Sequence, residues 1–157
     1  MELLVGDLIL VKGTDWISHA IEDVEHSPYS HVATYAGDNQ VIEAQGFKKT
    51  GYQSLDVYKG MADVFRTPAT PGQRQEILEY LRKEVGGHYD YLLLGWEFIR
   101  YEFHILLPYK EPSTIKICSV LGAAAQRYAG IPLCQGIPYP SPADVALDKY
   151  VIKIGSY

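Results

Sequence analysis

Two cysteines, Cys118 and Cys134, are too few for a disulfide framework and form no CxxC pair, so neither a stapled mini-domain nor a zinc ribbon is written in this chain. A single bridge between them is left open by the sequence. No cluster of Lys and Arg is present beyond Lys48-Lys49, and the formal net charge is −5, which argues against a nucleic-acid partner. The longest apolar stretch, near Tyr91 to Leu94, is far too short for an integral membrane segment. Met1-Glu2-Leu3 opens no basic-then-apolar leader, so the expectation is a cytoplasmic chain; release by phage, lysis or a secretion system would leave no such mark. No repeat, low-complexity run or linker divides residues 1–157, which therefore read as one domain with ordinary globular composition, 47% apolar and 21% charged. Oligomeric state leaves no mark.

Thirteen tyrosines are what the chain has in excess, a residue suited to sheet packing and to polar clefts alike. Val5 to Val11 reads as a buried strand. Asp15 can cap a helix over Trp16 to His26, where Trp16, Ile17, Ala20, Ile21 and Val24 make an apolar stripe. Ser30 to Gln45 reads as two short strands around Gly37-Asp38-Asn39, then a loop over 46–51, then strands at Ser54–Tyr58 and Ala62–Arg66. Thr70-Pro71-Gly72-Gln73 has the form of cap, first-turn proline and capping-box glutamine, opening a helix that ends at Gly86-Gly87. Tyr89 to Ile105 is a second apolar helical stretch. Ser141-Pro142-Ala143-Asp144 opens a short helix, and Tyr150 to Ile154 closes the chain as a strand. Strands, then helices, then a strand predict an α+β fold with an antiparallel sheet or barrel packed on helices.

The chemistry gathers at residues 113–130. The β-branched run Thr114-Ile115-Lys116-Ile117 predicts an extended segment, and the small residues after Cys118 predict a helix ending at Gly130. On that reading Cys118 lies in the first turn, where free N–H groups and the positive end of the dipole favour a thiolate and the Cys118 amide can help bind an oxyanion. A nucleophile needs a base, and the base needs an orienting group. A hairpin turn at Gly37-Asp38-Asn39 pairs Tyr35 with Val41 and puts His31, Ala33, Glu43 and Gln45 on one face. Glu43 is then within reach of His31, and Gln45 is a rival orienter or a substrate contact. Tyr29, just before Ser30-His31, could hydrogen-bond a substrate carbonyl.

These residues carry a resemblance. GDLILVKG (Gly6–Gly13), SHVATYAGDNQVIEA (Ser30–Ala44), ICSVLGAAA (Ile117–Ala125) and SPADVA (Ser141–Ala146) together resemble the circularly permuted papain-like branch of the NlpC/P60 superfamily, especially its YiiX/YebB-like group. In ordinary papain-like enzymes the cysteine helix precedes the histidine strand; here His31 precedes Cys118. The resemblance implies a permuted papain-like fold and a Cys–His–polar triad on Cys118, His31 and Glu43; no cofactor is expected. Members of the wider superfamily include peptidoglycan endopeptidases, amidases and lipid acyltransferases. The expected function is a cysteine peptidase or amidohydrolase acting on a small peptide or cell-wall peptide. A lipid acyltransferase or acyl hydrolase of the same fold, and a non-catalytic ligand-binding module, are the alternatives. Secreted wall hydrolases usually carry a leader and a wall-binding module, and this chain shows neither.

Each residue also has a plainer reading. Cys118 can be a small buried hydrophobe, His31 a structural histidine, Glu43 a solvated strand residue and Tyr29 a packing residue. His19 and His26 read as surface groups, His88 and His104 as structural, Asp7 as turn chemistry, and Tyr89 and Tyr91 beside Asp90 as lining for a cleft. A metal site built from Cys118, Cys134 and a histidine would lack the short ligand pairs zinc sites show, so no metal is expected.

Overall fold

The computed structural model describes residues 1–13, 27–44, 49–86 and 113–157, with 113–117 as backbone only. The expected helices over 16–26 and 89–105, together with Gln45, His19, His26, His88, Tyr89, Tyr91 and His104, lie outside the described residues. Six strands, β1 (Leu8–Lys12), β2 (Tyr29–Gly37), β3 (Gln40–Ala44), β4 (Thr50–Ser54), β5 (Ala62–Arg66) and β6 (Ile152–Ser156), form one antiparallel sheet in the order β4-β3-β2-β1-β5-β6. Among the described residues the sheet is open, with β4 and β6 as its edges, so the α+β class holds and no closed barrel forms among them.

The apolar run of β1 is explained by burial on both faces. Leu8, Leu10, Val32, Ile42 and Phe65 meet α1 (Pro71–Glu84) and α2 (Ser113–Tyr128) through Ile77, Leu81, Leu121, Ala123 and Ala125. On the other face Ile9, Val11, Ala33, Val41 and Val64 pack with Leu55, Tyr58, Ile154 and Tyr157. The hairpin has the expected register, Tyr35 opposite Val41, with Asp38 (φ 50°) and Asn39 (φ 57°) both left-handed as a tight hairpin turn requires. Both capping boxes are present: Thr70 with Gln73 at the start of α1, and Ser141 with Asp144 at the start of α3 (Pro142–Leu147).

Three expectations change. Thr50–Ser54 form β4 against β3, where the sequence places a loop over 46–51 and a strand only from Ser54. Leu55–Tyr58, read as strand, is a short 3₁₀ helix, because the Ser54 side chain accepts from the Asp56 amide and the Leu55 N–H donates to the Asn39 carbonyl. Residues 114–117 belong to α2 rather than to a strand. β-Branched residues cost a helix only a few tenths of a kcal/mol each, about 0.5 kcal/mol at most, and that is outweighed by continuity with the buried helix that follows. At Gly122 an added Cβ would stand 3.4 Å from Leu8 and 3.5 Å from Val32, so a residue without a side chain lets α2 lie close on β1 and β2.

Candidate active site

Cys118, His31 and Glu43 converge. β2 carries His31 and β3 carries Glu43, and His31 Nε2 and Glu43 Oε2 are 2.9 Å apart. The shared face derived from hairpin alternation is thus realised in a bonded pair. α2 delivers Cys118, whose thiol is both a hydrogen-bond and an electrostatic neighbour of the His31 ring. With Nε2 on Glu43, the ring nitrogen left for the sulfur is Nδ1. Cys118 is 1% exposed and Glu43 4%, while the His31 side chain keeps 24% of its surface.

The helix start changes the electrostatics of the cysteine. In a helix running from Ser113, Cys118 is the sixth residue, beyond the four N–H groups that lack an intrahelical partner. Neither the free amides of a first turn nor an oxyanion-binding Cys118 N–H is available as expected. The donor that reaches the sulfur comes from the sheet instead: the Val32 N–H, 3.4 Å from Sγ.

Burial by itself would lower the basicity of His31. The negative charge of Cys118, hydrogen bonds to Cys118 and Glu43, and the Glu43 charge outweigh it and push the imidazole up from 6.5 to about 10. Because the folded state binds this proton more tightly than the unfolded chain, the stabilisation is complete below about pH 6.5 and is lost as pH rises through 10. The stability gap between wild type and His31→Gln in urea titrations should therefore be widest near pH 6 and close toward pH 10. A gap that widened with pH would show His31 held neutral.

Tyr58 is the site residue that the sequence did not reveal. Its hydroxyl donates to Glu43 Oε2, the same oxygen that holds His31, and its ring lies 6.0 Å from the His31 ring. Burial first, then the hydrogen bond and charge of Glu43, raise its pKa, so it stays a donor. No local signal marks it, since only the 3₁₀ turn after β4 carries it back to β3.

Tyr29 is turned to another task. Its hydroxyl donates to Asp63 at 2.7 Å, and its buried ring meets Phe65 edge-on at 5.6 Å, so the group expected toward a substrate serves Asp63. Asp7, expected in turn chemistry, does bind the Leu4 amide at 2.9 Å, but it also pairs with Arg66 and Arg74. Cys134 is unbridged, and burial, then the charges of Asp148 and Asp144, push its thiol up to about 12, which leaves it unreactive. Among the described residues no group of three His, Cys, Asp or Glu side chains could hold a metal ion, and no helix is long and apolar enough to cross a membrane.

Fold and site define a class of protein: an α+β domain in which a helical cysteine meets a histidine and a carboxylate borne on neighbouring antiparallel strands. Among solved structures, the chain is similar to the metalloprotein yiiX from Escherichia coli O157:H7, described as DUF1105, with a TM-score of 0.56 at 19% identity over 98% of this chain and 97% of that one. At that identity the likeness is one of fold. No family model and no curated protein matches the chain.

Proposed function

We propose that this protein is a cysteine hydrolase that cleaves an amide bond, in a small peptide or a cell-wall peptide, through an acyl-enzyme on Cys118. The observation that carries the reading is the contiguous Cys118–His31–Glu43 arrangement, a nucleophile, a base and its orienter in hydrogen-bonding sequence. His31 takes the thiol proton and is stabilised as imidazolium by Glu43. The sulfur attacks the carbonyl carbon, His31 returns the proton to the leaving amine, and water releases the acyl group with His31 again as base. The fold-level likeness to yiiX supports the permuted NlpC/P60 assignment that the sequence motifs suggested. That relative's description as a metalloprotein is its own, and the mechanism proposed here is built on the thiol.

One observation favours a second reading. At 1% exposure Cys118 is as buried as a core residue, which suits a binding module with an inert thiol. Iodoacetamide labelling across pH separates the two, with mass spectrometry resolving Cys118 from Cys134. An unperturbed thiol titrates near about pH 8.5. Fast labelling of Cys118 that persists below about pH 7 is the expected result, and His31→Ala should slow it on the order of tenfold or more near neutrality. An unchanged rate in His31→Ala would uncouple the two residues, and an ordinary thiol profile in the wild type would favour the binding module.

A further inference from the structure

The sulfur of Cys118 has a main-chain partner whose position follows from strand pairing. The Tyr35 N–H donates to the Asp7 carbonyl, toward β1, at 2.8 Å. Successive residues of a strand point their amides to opposite neighbours, so Val32, at the opposite parity to Tyr35, directs its N–H toward β3. The β2–β3 ladder has its last pair at Thr34–Ile42, while β1 continues alongside through Leu10–Val32 and Val11–His31. Among the described residues the Val32 amide has no pairing partner on β3, and Cys118 Sγ accepts from it at 3.4 Å. Val32 and Cys118 are each 1% exposed, so water does not compete for this bond.

We propose that the Val32 N–H, released by the end of the β2–β3 ladder, is the donor that stabilises the Cys118 thiolate, in place of the helix N-terminus that serves a cysteine opening its helix. The inference rests on the reading of Cys118 as nucleophile and adds a catalytic group to it. Two consecutive residues of one strand then hold the sulfur, His31 by its side chain and Val32 by its main chain. The register is decisive: a one-residue slip of β2 would turn the His31 side chain to the other face of the sheet and part the two groups that hold the sulfur. Because the group is backbone, no side-chain motif encodes it.

The test replaces Val32 with α-hydroxyisovaleric acid, which exchanges the N–H for an ester oxygen and leaves the side chain intact. An ester at Thr34, whose amide also points to β3, is the control for the loss of one strand hydrogen bond. The readout is iodoacetamide labelling of Cys118 at pH 6 to 8 in the folded proteins. The Val32 ester should slow labelling on the order of tenfold, the scale of one hydrogen bond to a charged group, and shift the labelling profile to higher pH, while the Thr34 ester leaves it unchanged. Equal labelling by the Val32 ester and the wild type would overturn the assignment. Should the ester chain fail to fold, the Val32 amide proton decides by NMR: it should follow the Cys118 titration in the wild type and shift upfield in Cys118→Ala. An amide insensitive to both refutes the proposal. If wild-type Cys118 labels as an ordinary thiol, the hydrolase reading falls, and the Cys118→Ala comparison still decides whether Val32 donates to sulfur.

Discussion

Cys118→Ala should abolish amide hydrolysis while leaving the fold in place. Removing the nucleophile of a comparable triad costs on the order of 10⁶-fold in turnover, so residual activity should be undetectable against a panel of peptide amides that the wild type cleaves. The structural cost is small, because the substitution removes little more than one buried methylene-sized group, about 1 kcal/mol, or roughly 2–4 °C in Tm for a chain of this length. The pairing of a large catalytic loss with a small thermal shift is what separates a nucleophile from a core cysteine. Full turnover by a folded Cys118→Ala protein would place the chemistry elsewhere. Cys134→Ala, at a thiol that burial keeps protonated, should leave turnover near the wild-type value.

Asp7→Ala should be among the most destabilising single substitutions in the chain. Asp7 is fully buried and accepts from Arg66 Nη2 at 2.6 Å and Nε at 2.9 Å, from Arg74 Nη1 at 3.3 Å and from the Leu4 amide at 2.9 Å. Arg66 can reach solvent, but Arg74, on the buried face of α1, would keep an unneutralised charge. Removing one partner of a buried pair costs about 3–5 kcal/mol, which corresponds to a fall of roughly 6–20 °C in Tm. Removing the stranded charge as well, in Asp7→Ala/Arg74→Met, should recover part of that loss, since an apolar replacement is far less costly than an isolated ion. Urea titrations of the two variants read the difference directly. A loss below about 0.5 kcal/mol in Asp7→Ala would mean that the arginines find solvent and the network is superficial. Gln126 extends the same buried network, donating to the Gly6 carbonyl and accepting from Thr67, so β1, β5 and both long helices are joined at one end of the sheet.

The parts of the site legible in the sequence were those set by local rules. Side-chain alternation along a hairpin with a recognisable turn places His31 and Glu43 on one face, whatever the rest of the chain does. Capping residues at Thr70 and Ser141 mark helix starts because the cap bonds lie within four residues. The α+β class follows from the order of the elements. Where the reading failed, a distant contact outweighed a weak local preference. The β-branched residues at 114–117 were absorbed into α2, which moved Cys118 from the first turn to the sixth position, away from the helix terminus. Tyr58 entered the site only because a 3₁₀ turn folded it back along β3, and Tyr29 left it because Asp63, across the sheet on β5, claimed its hydroxyl.

The sequence by itself determined which residue types are present for thiol chemistry, and that two of them share a strand face, because period-two alternation is a property of the chain alone. Only the tertiary structure decided that Cys118 meets them. That meeting depends on Gly122 allowing α2 to lie close on β1 and β2, and on a β2–β3 ladder that ends at Thr34, two residues from Val32. The helix contact joins segments roughly ninety or more residues apart, and no local energy of either segment specifies it.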